Sequence, residues 1–251
     1  MTAFAGIVYP DVLQVNDVTD LMLNTLTHRA STKRQIVSYK NIQMGCLGDG
    51  WATNGKRDLH LAFDGWVENR MELIEAFKEA GFPIEDTSDT QLVLKAYELF
   101  GKAFLERLNG EFSLALLDQK ESSLLLARDR IGKKPLYWYQ DKKYFLFASE
   151  LKSLLSSGLV SQTPCREAIA TYLFFGYSPQ DLTPVKDVNK LLPSHSLQLT
   201  PNQGVQISSY WSYSSYFEKR VNVHKSKILT TVHQLLEESI IKRMPAGGPI
   251  G

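Results

Sequence analysis

The chain is 251 residues long and 43% hydrophobic, enough to bury a substantial core as one large domain or as one domain with part of another. Its 28 Lys and Arg against 27 Asp and Glu leave a net charge of +1, so no global field draws it to nucleic acid or to an anionic membrane. Cys46 and Cys165 form no CxxC or Cys/His cluster, which argues against a zinc site and a disulfide scaffold, and without a membrane-length apolar run or a leader segment a cytoplasmic location is expected.

Phe4 to Tyr9 read as a first strand ended by Pro10. "VNDVTDLMLNTLTHR" follows, with Asp17 or Thr19 as the cap of a helix whose apolar positions are Leu21, Leu23 and Leu26. "QIVSYK", "IQMGCLG" and "LHLAFDG" are short strands punctuated by Gly, Asp and Asn. "DGWVENRMELIEAFKEAGF" turns into a helix with Leu73, Ile74 and Phe77 on one face and Gly81 as its stop. "SDTQLVLKAYELFGKAFLERL" repeats the pattern, capped by Ser88 or Asp89.

From Glu111 the pattern becomes β: "EFSLALLD", "SSLLLARD", "PLYWYQ" and "YFLFASE" are separated by turn-like "QKES", "RIGKK" and "DKK". Strands, helices and then antiparallel strands predict a layered α+β domain ending near "ELKSLLSSG". Residues 161 to 211 contain Pro164, Pro179, Pro184, Pro193 and Pro201 and read as an irregular linker or strap. "KSKILTTVHQLLEESIIKRM" is a last amphipathic helix, with Ile228, Val232, Leu235, Leu236 and Ile240 at helical spacing. The expected organisation is a domain over 1–160, then a linker and the first helix of a second domain over 161–251.

Taken together, "AFAGIV", "HRAST", "DGWVEN", "SDTQLVLKAYELFG", "LNGEFSLALLD", "ARDRIGKKPLYW" and "FASELKSLL" resemble, in order, the motifs of class II glutamine amidotransferases. "YLFFGYSP", "LTPVKDVNKLLPSHSLQL" and "LLEESIIKRM" are similar to the junction into the synthetase domain of asparagine synthetases. The resemblance implies a four-layer αββα sandwich of two antiparallel sheets, the N-terminal-nucleophile hydrolase fold. It implies ammonia release from glutamine and delivery to a synthetase domain that uses ATP and magnesium. That second site needs an "SGGxDS" phosphate loop. The chain stops where the loop would be expected, so ATP and Mg belong to the other domain and no cofactor is assigned here.

The family chemistry uses an N-terminal side chain as nucleophile and its own α-amine as base. The resemblance puts Thr2 at the position of the family cysteine, and a threonine can fill that role once Met1 is removed. It puts Asp64-Gly65-Trp66 where the family has Asn-Gly-Glu. Gly65 keeps a backbone N–H for the oxyanion hole, whereas an ionised Asp64 only accepts hydrogen bonds. Losing one oxyanion donor costs about 10²–10³ in rate. Trp66 is expected to fill part of the glutamine pocket. The stretch "IQMGCLGDG", where the family's carboxylate-binding arginine belongs, has no Arg or Lys. Asp89 matches the family aspartate that receives the substrate ammonium, with Gln91 where a second acidic residue is expected.

The expectation is therefore a glutaminase fold with a degraded site, a pseudo-glutaminase partnered with its own or a separate synthetase domain and binding glutamine or a related small amide at most. The alternatives are a working N-terminal-threonine amidohydrolase, or a non-catalytic interaction module that dimerises through its last helix. The blander readings stand beside these: Thr2 as a strand residue, Asp64-Gly65 as a turn, Cys46 as core, and Arg128, Arg130, Lys133 and Lys134 as a solvated hairpin turn. His28, His60, His195, His224 and His233 lie far apart, and no catalytic or metal role is assigned to them.

Overall fold

The computed structural model of the chain describes residues 2–10, 17–30, 33–82, 84–201, 203–217 and 224–243. The described residues form two six-stranded antiparallel sheets. The first takes β1 (Ala3–Val8), β2 (Arg34–Tyr39), β3 (Ile42–Leu47), β8 (Tyr137–Gln140), β9 (Phe145–Ala148) and β10 (Val188–Lys190), in the order β10-β8-β9-β1-β3-β2. The second takes β4 (Trp51–Thr53), β5 (Leu59–Val67), β6 (Gly110–Asp118), β7 (Ser123–Arg128), β11 (His195–Thr200) and β12 (Gly204–Ser209), in the order β12-β11-β7-β6-β5-β4.

Alternation along the strands explains why the sheets are sandwiched. In β1, Ala3, Ala5 and Ile7 turn to one side and join Met22, Leu23 and Leu154 from helices α1 (Val18–Asn24) and α5 (Leu151–Ser156). Phe4 turns to the other side and joins Met44, Phe147, Ala115, Leu117 and Leu126, so that the two sheets share one apolar layer. In β5 and β6, Leu61, Phe63, Phe112 and Leu114 face outward, against α2 (Arg70–Glu79), α3 (Asp89–Phe100) and α4 (Phe104–Arg107). Helices cover the outer face of each sheet, which gives the expected αββα order.

The expected elements form with small adjustments. Helix α1 begins after Asp17, which adopts φ 76° and makes no side-chain cap bond. It buries Met22 and Leu23 but turns Leu21 to solvent, so the Leu21-Leu23-Leu26 face is rotated from the sequence reading. Strand β4 was too short to stand out in the sequence.

The larger difference lies beyond residue 160. The proline-rich stretch is not an irregular strap throughout, because β10 pairs with β8 and β11 pairs with β7. Leu197 sits opposite Leu126 and joins the inter-sheet core. Pro179, Pro184, Pro193 and Pro201 all fall in connections between elements, where a missing N–H breaks no ladder. The sheets thus run past the expected boundary to Ser209.

Helices α6 (Arg166–Phe175), α7 (Ser214–Phe217) and α8 (Lys225–Arg243) complete the chain. Apolar residues of α6 and α8 face solvent, among them Leu173 at 79%, Phe174 at 82%, Leu229 at 76% and Leu235 at 59% exposure. The C-terminal turn of α8 reaches the sandwich through Arg243, 2.9 Å from Glu68, and Lys242, 3.8 Å from Glu72.

Candidate active site

Thr2 precedes the first residue of β1, in the middle of its sheet, and is buried. The neighbouring strand β3 ends at Leu47, and the chain then turns through Gly48 to Gly50. A Cβ built on Gly50 would overlap both the Phe63 carbonyl and the Thr2 side chain. Only glycine lets these three segments close up, and that closure sets Thr2 beside the second half of β5. The Phe63 N–H donates to the Gly50 carbonyl at 2.8 Å, which fixes the crossing from one sheet to the other.

The next residue along β5 is Asp64. It lies on the same face as Ala62, toward the opposing sheet, and is 1% exposed. An unpaired charge is costly to bury, and this carboxylate is paired on both oxygens. Arg29, from the "HRAST" segment after α1, donates from a guanidinium nitrogen to Oδ2 at 2.6 Å. Lys134 Nζ lies 3.4 Å from Oδ1. Arg29 Nε is also 3.6 Å from Glu150, whose carboxylate meets His28 at 2.9 Å and Lys152 at 3.3 Å. Removing one partner from such a buried cluster costs about 3–5 kcal/mol.

"IQMGCLGDG" contributes no cation, and the arginine that meets Asp64 is Arg29, from an earlier segment. One expectation changes: "RIGKK" is only partly a solvated turn, since Lys133 is exposed and Lys134 is largely buried. Arg128 donates to the carbonyls of Lys134, Leu191 and Gly132 at 2.7, 2.7 and 2.6 Å. Asp129, fully buried, accepts from the backbone N–H groups of Ile131, Lys133 and Lys134. This double clamp holds the 129–134 loop so that Lys134 points at Asp64. Sequence reasoning passed over it because three basic residues beside a glycine look like any exposed hairpin.

Gly65 has φ +149°, and a Cβ on it would overlap the Glu111 carbonyl. Its partner in the register is Phe112, whose N–H and C=O are both taken by Asp129. Gly65 and Phe112 are therefore a non-hydrogen-bonded pair, and the Gly65 N–H points away from β6. It is directed to the same strand edge at which the Phe63 N–H meets Gly50.

Trp66 does not fill the interior: it is 39% exposed, and Lys134 Nζ lies 5.5 Å from its ring centroid. Asp89 opens α3 and meets Arg70 at 2.5 Å, while Arg70 also donates to the Thr87 carbonyl. Burial raises the Asp89 pKa, against the opposing pull of Arg70 and the Val67 backbone. The Val67 contact puts Asp89 at the far end of the strand that carries Asp64. Cys46 is no substitute nucleophile: burial first, then the charges of Asp64 and Asp49, push its thiol up to about 12.

Among the described residues, no three His, Cys, Asp or Glu side chains stand close enough to hold a metal ion. No described helix is long and apolar enough to cross a membrane.

This geometry has relatives. An asparagine synthetase [glutamine-hydrolyzing] 3 of Bacillus subtilis is 27% identical over 191 residues, covering 76% of this chain and 30% of that protein. The amidase chry2 of Gibberella zeae is 30% identical over 183 residues, covering 72% of this chain and 26% of that protein. The chain therefore spans about a third or less of the length of these curated relatives. Among solved structures, the glutamine phosphoribosylpyrophosphate amidotransferase of B. subtilis, complexed with ADP and GMP, superposes with a TM-score of 0.62 at 14% identity. That match covers 83% of this chain and 49% of the other, and it speaks to the fold. Residues 1–211 match the family described as the glutamine amidotransferase domain, so the chain belongs to the class II glutamine amidotransferase domain family.

Proposed function

We propose that the chain is the glutaminase-like domain of an asparagine-synthetase-like, amide-forming protein and that it hydrolyses glutamine weakly or not at all. The observation behind this reading is Asp64, next in sequence to Phe63, whose carbonyl closes on Gly50 and Thr2; this buried carboxylate already holds Arg29 and Lys134. An acceptor at this position offers no hydrogen bond to a developing oxyanion. The two cations that would attract a substrate carboxylate are engaged on Asp64.

In this reading the amide-forming chemistry, with ATP and Mg, belongs to a synthetase domain, of the same or a separate chain, which takes free ammonia or another amine. The exposed apolar faces of α6 and α8 are the surfaces such a domain would cover. The protein would work in the cytoplasm.

The second reading is an N-terminal-threonine amidohydrolase acting on an amide other than glutamine. It is favoured by the Gly65 N–H, which keeps its direction, and by similarity to a protein named an amidase. With Met1 removed, the Thr2 hydroxyl would attack the amide carbon and pass its proton to its own α-amine, and the Gly65 N–H would meet the oxyanion.

Intact mass and an ammonia assay separate the two. The expected result is no ammonia from glutamine above that of Thr2→Ala, whether or not Met1 is present. Thr2-dependent ammonia release from a protein lacking Met1 at an ordinary enzymic turnover, about 1 s⁻¹ or more, would overturn the first reading, and retained Met1 would end the second.

A further inference from the structure

The cluster around Asp64 holds one feature that a simple buried ion pair does not need. Ser113 on β6 sits directly opposite Asp64 in the strand register. Opposed residues of an antiparallel pair project to the same face, so the Ser113 hydroxyl lies in the same space between the sheets. Ser113 is fully buried, and its Oγ has no hydrogen-bond partner among the described residues. A buried hydroxyl without a partner is costly and is normally satisfied by something. Opposite it on the partner strand, Asp64 carries two cations, one on each carboxylate oxygen, at 2.6 Å and 3.4 Å.

Guanidinium and ammonium converging on one carboxylate form a binding arrangement for that group, and the Ser113 hydroxyl on the same face makes no hydrogen bond to it. Both cations are held from outside the cluster: Arg29 by Glu150, and Lys134 by the loop that Arg128 and Asp129 clamp. Their positions therefore do not depend on Asp64 alone. We propose that Arg29, Lys134 and Ser113 form a receptor for a small carboxylate, that of an amino acid or short acyl compound, and that the Asp64 side chain fills it from within the protein. The wild-type site is then closed by its own chain, an occupant at fixed and effectively high concentration. This rests on the reading of the site as a silenced glutaminase and names what its pocket is built to take.

The test is Asp64→Ala in the full 251-residue chain, which removes the occupant and leaves both cations in place. Sodium acetate and sodium L-glutamate are titrated against thermal unfolding, with sodium chloride at matched ionic strength as the control. Carboxylate that binds the folded state raises its melting temperature saturably. The expected result is a carboxylate-specific rise in Asp64→Ala, with binding at least about tenfold tighter than in wild type. The rise should disappear in Asp64→Ala/Arg29→Gln. If Asp64→Ala folds poorly, its refolding yield in acetate against chloride reads the same receptor. Equal responses of Asp64→Ala and wild type, equal refolding in acetate and chloride, or a response that survives loss of Arg29 would overturn the proposal. Ammonia release by the wild type tests the silenced-site reading separately, because it is measured on a different protein and by a different signal.

Discussion

Helices α3 and α8 carry similar sequence signals and meet opposite fates. Both repeat apolar residues at helical spacing. Helix α3 buries Leu92, Val93, Leu94 and Ala96 against the outer face of the second sheet. Helix α8 leaves Leu229, Leu235, Leu236 and Ile240 more than half exposed. Periodicity therefore reports that a helix has an apolar face, while the partner for that face must come from elsewhere. The division does not simply follow the chain: α6, ahead of β10, leaves Leu173 and Phe174 exposed just as α8 leaves its own apolar face.

The sharpest way to break this comparison is through the two cysteines, one in each region. Cys46 lies in the inter-sheet core, and Cys165 precedes α6 at intermediate exposure. With the Cys46 thiol raised to about 12, only about 10⁻⁴ of it is thiolate near pH 8. In the native chain an aromatic disulfide reagent should therefore titrate Cys165 and leave Cys46, which should react roughly a thousandfold more slowly until denaturant is added. Two equally fast thiols would mean that the sandwich core is open.

Next comes Leu92→Ala, which removes a fully buried side chain under the second sheet. It should cost about 2–5 kcal/mol in denaturant unfolding. A loss below about 1 kcal/mol would remove α3 from the cooperative core.

The smallest effect belongs to Leu235→Ser on α8. Unfolding free energy should stay within about 0.5 kcal/mol of wild type, while self-association at high concentration, followed by sedimentation, should fall. A loss comparable to that of Leu92→Ala would show that α8 is packed after all and erase the contrast.

Much of the fold was legible because its strands alternate cleanly and its helices are punctuated. "EFSLALLD" and "SSLLLARD" form β6 and β7, and Ser88 stands directly before α3. Strand β10 was hidden because it is a three-residue edge strand, and β11 with β12 because their alternation is mostly polar and β11 docks on a strand distant in sequence. The match of Leu197 to Leu126 joins residues 71 apart and leaves no local trace. The site divides in the same way. Thr2, Asp64, Gly65 and Asp89 were found through motifs, yet the partners of Asp64 come from residues 29 and 134, which only the folded sheets bring together. Nothing in "HRAST" or "RIGKK" states that its cation will meet a buried carboxylate. Trp66 lies near the end of β5, where it is partly exposed beside Lys134.

The late strands also have a practical consequence. Between Lys190 and His195 the chain passes from one sheet to the other, closing the side of the sandwich like a clasp. A truncation at residue 160, the natural place to cut from the sequence, would strip β8 of β10 and β7 of β11. Each sheet would be left with a bare row of amides and carbonyls, a template for pairing with other chains. The shortest piece that keeps every strand of both sheets is one that ends after Ser209, and whatever is joined beyond it is tethered to the edge strand β12.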